Sequence, residues 1–361
     1  MNNSGLLFIP DISGFTKFVN ETEIDHSRII IEELLENIIN SNQIGLNISE
    51  IEGDAVLFYR YGETPSLEEI YKQVENMFCN FQKQIKTYET RRVCECSACA
   101  AAINLSLKVI THYGEFSTYN VKDYSKLIGK DVIVAHQLLK NDIDLHEYWL
   151  VTSNLFDSKQ IGGHLPEWIN WQKSIKQTEK GEVAFYYSML SELKEKVQPD
   201  PTPRLDLGDN KTKMVSLSKT IDASLVNVFT IMGDFSLRPK WMEGIKAVDQ
   251  VSHPLYHVGI KHRCILNSGR TKVVNTSSYS HSNDTISLSE TDENKTEARY
   301  ITVKPLTDRK TSIVFDYYVR KNPFKELIFS MFMKKEFTRQ LAKSLDNLDG
   351  LCTELQRVKD N

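Results

Sequence analysis

Two aspartates stand in short glycine-containing turns early in the chain: Asp11 in Phe8-Ile9-Pro10-Asp11-Ile12-Ser13-Gly14-Phe15-Thr16, and Asp54 in Glu50-Ile51-Glu52-Gly53-Asp54-Ala55. Carboxylates are hard oxygen donors, the ligands that magnesium and manganese prefer and that those ions commonly share with phosphate. A second group offers softer chemistry. Cys94, Cys96 and Cys99 form C-x-C-x-x-C, thiolates close enough to converge on zinc, whose structural sites take four such ligands. Three are visible in the motif. Cys79, His112 or a residue of a second copy is open as the fourth, and so is a set of reduced thiols with no metal.

The elements that must carry these residues follow from local pattern. Leu6 to Ile9 is an apolar run suited to a buried strand, which Pro10 is expected to end because proline lacks an N–H. Asp11 then sits at a strand end. The turn after it leads into a helix, and such joints aim N–H groups at anions, so Ile12, Gly14, Phe15 and Thr16 are candidate phosphate contacts. Leu46 to Ile51 and Ala55 to Tyr59 are β-type runs around Glu52-Gly53-Asp54, a hairpin with Asp54 at its tip. Between the two motifs, Asp25 to Asn40 places Ile30, Ile31, Leu34, Leu35, Ile38 and Ile39 on one apolar stripe of a helix. Taken singly, Asp11 is better explained as a helix cap and Asp54 as a turn residue; the pair gives the metal reading its weight.

In this order and spacing, the motifs resemble those of class III nucleotidyl cyclases, the adenylyl and guanylyl cyclases: a D-x-x-G-F-T strand-turn-helix, a helix, and a hairpin carrying G-D. Leu105 to His112 followed by Tyr113-Gly114-Glu115 resembles their strand and G-E turn, and Ile128 to Leu138 resembles their G-x-x-V-N-x-A-x-R-L helix. The resemblance covers about the first 190 residues. It implies an α+β, ferredoxin-like domain with Asp11 and Asp54 on magnesium or manganese, a purine nucleotide, and a head-to-tail homodimer in which Asp54 and Glu50 serve different sites. It also implies an asparagine and an arginine on the last helix, where this chain has Ile133 and Gln137. Neither replaces the missing donor and charge, so no catalytic residue is assigned. At the base-selecting positions stand Glu50, as in guanylyl cyclases, and Lys126, which matches neither class. Glu50 can accept from guanine, or the two can pair and close the base pocket; the pairing is the stronger expectation.

The chain has 361 residues, with 44 basic against 48 acidic side chains and a net charge of -4, which gives no electrostatic case for nucleic-acid binding. No stretch approaches the roughly 20 apolar residues of a membrane span, and a cytoplasmic protein is the default expectation. Pro199, Pro201 and Pro203 interrupt all periodicity, so the expected division is a domain over 1–192, a linker over 193–210 and a second domain over 211–361.

The second domain reads as a strand, a short helix, a run of strands and a long final helix. Thr220-Ile221-Asp222-Ala223-Ser224 with Val228, Phe229 and the downstream Trp241 resembles the START-like superfamily of polyketide-cyclase and lipid-transfer domains. That resemblance implies a helix grip: a curved antiparallel sheet around a long C-terminal helix, with a cavity for a hydrophobic small molecule. Trp241, Phe315 and Tyr317 are its candidate lining residues, with Phe315 and Tyr317 equally open to a reading as filler of a small closed core. Phe324 to Phe337 mixes aromatic residues with lysines; a stretch that lies on an anionic membrane surface or gates the cavity is one reading, and a face packed on the sheet is the stronger expectation.

Together these readings favour a regulatory protein in which a degenerate cyclase-like domain binds a purine nucleotide with metal and a START-like domain binds a hydrophobic ligand. An active cyclase and a non-catalytic scaffold are the alternatives.

Overall fold

The computed structural model describes residues 3–91, 96–122, 124–156, 165–178, 181–199, 207–249, 258–282 and 284–360. The chain divides into two compact units, residues 1–89 with 96–200, and 90–95 with 201–361.

In the first unit the elements run β1 (Ser4–Ser13), α1 (Phe15–Glu21), α2 (Ile24–Asn40), β2 (Asn47–Glu52), β3 (Ala55–Tyr61), α3 (Leu67–Arg91), α4 (Ser97–Ala101), β4 (Ser106–Glu115), β5 (Ser117–Val121), β6 (Tyr124–Ile128), α5 (Lys130–Leu139), β7 (Tyr148–Thr152), α6 (Ser153–Phe156), β8 (Gln172–Thr178), β9 (Gly181–Met189) and α7 (Ser191–Lys196). Among the described residues seven strands form one sheet in the order β2-β3-β1-β4-β7-β9-β8, and β5 and β6 form a separate ribbon. All pairings are antiparallel except β4 with β7. Alternation on the central strand covers both faces. Leu7 and Ile9 join Val132, Ala135 and Leu138 of α5 in one core cluster, while Leu6 and Phe8, of opposite parity, are equally buried. The α2 stripe buries Ile30, Ile31, Leu34 and Ile38.

Three local expectations need correction. Pro10 does not end its strand: β1 continues to Ser13, because the ladder to β4 is continuous while the ladder to β3 passes from Phe8–Phe58 to Asp11–Ala55, leaving the proline where no partner needs its N–H. Gly114 and Glu115 are not a turn but the end of β4. The linker expected over 193–210 overlaps a helix at its start, since α7 runs to Lys196 and Leu193 and Val197 are buried.

The second unit contains β10 (Lys211–Ile221), α8 (Leu225–Gly233), α9 (Arg238–Trp241), β11 (Ile245–Asp249), β12 (Lys261–Leu266), β13 (Thr271–Ser282), β14 (Thr285–Asp292), β15 (Glu297–Thr307), β16 (Lys310–Arg320), α10 (Pro323–Ile328), a π-helical stretch (Phe329–Met333) and α11 (Lys334–Asp360). Its strands form one antiparallel sheet in the order β10-β16-β15-β14-β13-β12-β11. Helix α11 buries Leu341, Leu345, Leu348 and Leu351, spaced three or four apart, within the same core as Ile301, Ile313 and Phe315 of the sheet. This is the START-like helix grip. Ser224 caps α8 by accepting from the Asn227 N–H.

Candidate functional site

In the first unit Asp11 shares the parity of Leu7 and Ile9, so its carboxylate lies on the sheet face that α5 covers. The β hairpin brings Asp54 beside it, and the Asp54 carbonyl accepts the Ile12 N–H at 3.0 Å. Gly14 precedes α1 with φ 89°, a left-handed conformation that favours glycine. These residues line a cleft of about 1030 Å³ whose other walls include Lys108, Ile133, His136 and Gln137. The two expected metal carboxylates, the Ile12, Gly14, Phe15 and Thr16 turn and the two α5 positions thus meet around one space.

The electrostatics suit a cation. Burial, and then the like charge of Asp11, push the Asp54 carboxyl up to about 6. Asp11 is compensated: Lys108 Nζ lies 3.2 Å from its Oδ2 and donates to the Leu139 carbonyl at 3.2 Å. Two hard, adjacent carboxylates offer the oxygen ligands that magnesium or manganese takes. Asp11 and Asp54 are the residues that would hold such an ion. Lys108 carries no motif; only its register opposite Asp11 reveals it.

Glu50 and Lys126 meet within the chain, the Lys126 ammonium donating to the Glu50 carboxylate, and the hydrogen bond to Glu50 raises the Lys126 pKa. His136 lies beside them, Nε2 3.9 Å from Glu50 and Nδ1 3.6 Å from Glu52.

Behind the cleft, His112 Nδ1 is 2.8 Å from Thr152 Oγ1 and Nε2 is 3.3 Å from Asp131 Oδ1. Asp131 Oδ2 accepts the Glu115 N–H at 2.7 Å. Burial opposes ionisation of Asp131, but His112 and Glu115 outweigh it and hold the carboxyl below its ordinary value. His112 is therefore committed to α5 and is not a partner of the cysteines. Nor is Cys79 grouped with them. The side chain that joins Cys96 and Cys99 is His26 of α2, a residue the cysteine spacing does not reveal. Cys94 lies outside the described residues.

In the second unit a cavity of about 320 Å³ is lined by Trp241 and Phe315 together with Met242, Leu341, Arg299 and Gln340. This is at the small end of the roughly 300–1,000 Å³ range of ligand pockets. Tyr317 is not among its lining residues. Its ring packs on Phe329 and Phe337, with centroids 5.6 and 4.4 Å away, and its hydroxyl donates to Glu297.

Beside the cavity is a charged core group that no motif announces. Arg238 donates to Glu290 at 2.6 Å and to His262 Nε2 at 2.8 Å, and all three are buried. Because the guanidinium can only donate, Nε2 accepts and His262 is neutral. Burial, and then the Arg238 charge, push His262 down to about 3. Burial works against the Glu290 carboxylate, but Arg238 prevails and holds it at about 2.

The aromatic stretch after Pro323 is mostly not packed: Phe324 is 72% exposed and Phe332 74%, whereas Phe329 is buried. The π-helical stretch between α10 and α11 turns Phe329 alone onto Tyr317 and Phe337.

Residues 31–148 match the family model DUF2652, described as a protein of unknown function, and residues 213–352 match that of polyketide cyclase/dehydrase and lipid transport. An uncharacterized protein of Mycobacterium tuberculosis is 34% identical over 122 residues, 33% of this chain and 56% of that protein, so the chain spans little more than half the length of this relative. Among solved structures, the chain is similar to the catalytic core of a rhodopsin-guanylyl cyclase with converted specificity in complex with ATPαS, at 17% identity over 52% of this chain and 96% of that one, TM-score 0.39. It is also similar to the guanylate cyclase domain of RhGC from Catenaria anguillulae in complex with GTP, at 16% identity over 52% and 97%, TM-score 0.36. A bacterial light-regulated adenylyl cyclase matches at 12% identity over 53% and 95%, TM-score 0.36. No described helix is long and apolar enough to cross a membrane.

Proposed function

We propose that the first unit binds a purine nucleoside triphosphate with magnesium or manganese on Asp11 and Asp54, with little or no turnover, and that the second binds a compact hydrophobic molecule. The chain is then a ligand-responsive regulator that works as a homodimer through its cyclase-like unit. One observation carries this reading: the cleft that gathers Asp11, Asp54 and the Gly14 turn has Ile133 and Gln137 on its wall, where the motif resemblance calls for asparagine and arginine. Metal and phosphate groups have partners there. The charge that develops during cyclisation has none from those two positions, a deficit of about 100- to 1000-fold in rate per donor.

A second reading, an active purine nucleotide cyclase, is favoured by His136 and Lys140, which line the same cleft and could supply the missing charge. Lys126 is less suited to that task, being held by Glu50. A scaffold role without ligands is the third.

The test is calorimetry of the purified chain with GTP and ATP in manganese and in magnesium, beside mass spectrometry for cyclic nucleotide, with Asp54→Ala as control. Binding without product, lost in the variant, supports the degenerate sensor. Product lost in the variant supports the cyclase, and no binding leaves the scaffold.

A further inference from the structure

We propose that His26, Cys96 and Cys99 are ligands of a zinc ion that fastens the start of α2 to the start of α4. His26 Nδ1 lies 3.1 Å from Cys96 Sγ and 3.6 Å from Cys99 Sγ, and the three donor atoms all fall within 4.8 Å of one another. Tetrahedral zinc with bonds of about 2.3 Å to sulfur and 2.0–2.1 Å to nitrogen sets N and S about 3.6 Å apart. The Cys99 distance matches that spacing and the Cys96 distance is about 0.5 Å shorter, so a small side-chain shift would seat one ion between segments 70 and 73 residues apart.

The backbone is arranged for such ligands. Cys96 caps α4, and its sulfur accepts the Cys99 N–H at 3.4 Å, a contact that stabilises a thiolate more than a thiol. Glu23, immediately before α2, locks the same junction from the other side: its carboxylate accepts from Ser97 Oγ at 2.7 Å and from the Ala98 N–H at 3.1 Å. The histidine and the cysteines are thereby held at one place by bonds independent of any ion. Two sulfurs and one imidazole nitrogen select a soft or borderline metal, in contrast to the oxygen-only pair Asp11 and Asp54. Zinc would be bound as two thiolates and a neutral imidazole, releasing up to two protons from the thiols without any redox change. Its role is structural, with His26, Cys96 and Cys99 as three of the four ligands such a site takes. Helix α2 follows the Gly14 turn through α1, and α4 leads into β4, which carries Lys108, so the ion would tie together the two segments that flank the carboxylate cleft.

The test is elemental analysis of the full chain, purified under reducing conditions without a polyhistidine tag, together with cobalt substitution and thiol titration. The expected result is about one zinc per chain, a cobalt form with thiolate-to-metal charge-transfer absorption and tetrahedral visible bands, and at least about tenfold weaker retention in Cys99→Ser and His26→Ala. Asp54→Ala and Cys79→Ser should keep the zinc, which separates this site from the carboxylate cleft. Should the ligand variants fail to fold, the wild-type chain still decides: zinc release by a thiol-modifying reagent must track modification of the cysteines. A wild-type chain that is folded but takes up no zinc, a cobalt spectrum without sulfur character, or a Cys96 and Cys99 dithiol that oxidises to a disulfide and holds no metal would each overturn the proposal.

Discussion

Lys108 and Asp11 are register partners on adjacent strands, and the lysine ammonium lies 3.2 Å from Asp11 Oδ2 in a cleft that also contains Asp54. A carboxylate pair proposed to bind a divalent cation therefore carries a monovalent counter-ion of its own. Removing that charge leaves two neighbouring carboxylates facing each other. Breaking a buried pair costs about 3–5 kcal/mol, and the partial exposure here reduces the expectation for Lys108→Met to about 2 kcal/mol in chelator. Manganese should restore much of that loss in the variant and stabilise the wild-type chain less. Chemical denaturation with and without manganese measures both; equal manganese effects in the two proteins would rule out the cleft as the cation site.

Ile133 and Gln137 point to a gain of function. If metal and triphosphate are already held, Ile133→Asn with Gln137→Arg supplies the absent donor and charge, and cyclic nucleotide formation should rise by about 100-fold or more over the wild-type chain. Gln137→Arg alone should give a smaller part of that gain. A double variant that binds nucleotide as before and forms no more product would mean that the cleft does not orient the reacting groups.

Much of this site was legible because its signals are local. The α2 stripe has the helical period, so its observed bounds, Ile24–Asn40, lie within a residue of those expected. Glu52-Gly53-Asp54 lies between two β-type runs, and the hairpin follows. Lys108 and His26 escaped because nothing near them in sequence marks them; each gains meaning only from a partner about 70 to 100 residues away, fixed by register or by helix placement. The same holds for Arg238 and Glu290, 52 residues apart. Tyr317 shares a strand face with Phe315, which makes it a cavity candidate by sequence, yet the π-helical stretch brings Phe329 onto its ring instead. Alternation identifies a face; it does not say which element covers that face.

The Glu50 and Lys126 pair should matter for selectivity and little for folding. Their side chains are 24% and 49% exposed, so solvent screens the pair and its contribution to folding is small. Lys126→Ala frees Glu50 to accept from a guanine edge, so the ratio of GTP to ATP affinity should rise at least severalfold with the melting temperature nearly unchanged. Competition calorimetry measures the ratio. An unchanged ratio would place the base away from Glu50.

Acid should undo the second unit through His262. Folded, His262 is pushed from 6.5 to about 3, so below pH 6.5 the unfolded chain takes up a proton that the folded chain refuses. Stability contributed by this group is complete above pH 6.5 and should fall by about 1.4 kcal/mol per pH unit toward pH 3. Glu290, lowered from 4.5 to about 2, adds a loss of the same sign below pH 4.5. In His262→Gln the amide oxygen can still accept from Arg238 but does not titrate, so the slope between pH 6.5 and 4.5 should flatten. Hydrogen exchange of β14 peptides against pH follows the second unit specifically, and an undiminished slope in the variant would assign the acid sensitivity elsewhere.

Gly114 is fixed by what lies against it. A Cβ at this position would fall 2.4 Å from Asp131 Cγ and 2.5 Å from Oδ2, well inside any real contact. Asp131 cannot retreat cheaply, since its carboxylate is held by the Glu115 N–H and lies beside His112, which in turn meets Thr152. The backbone of Gly114 is not left-handed, so strain in φ contributes nothing and the cost of Gly114→Ala is purely one of contact. Overpacking of this kind costs about 1–3 kcal/mol. The relief available is an outward shift of the start of α5, which would carry Ile133, His136 and Gln137 away from Asp11 and Asp54. Gly114→Ala should therefore weaken metal-dependent nucleotide binding along with stability, whereas Gly114→Ala combined with Asp131→Gly, which clears the space, should recover packing but not the Glu115 and His112 contacts. If the single variant melts and binds like the wild-type chain, α5 is not held to β4 through this contact.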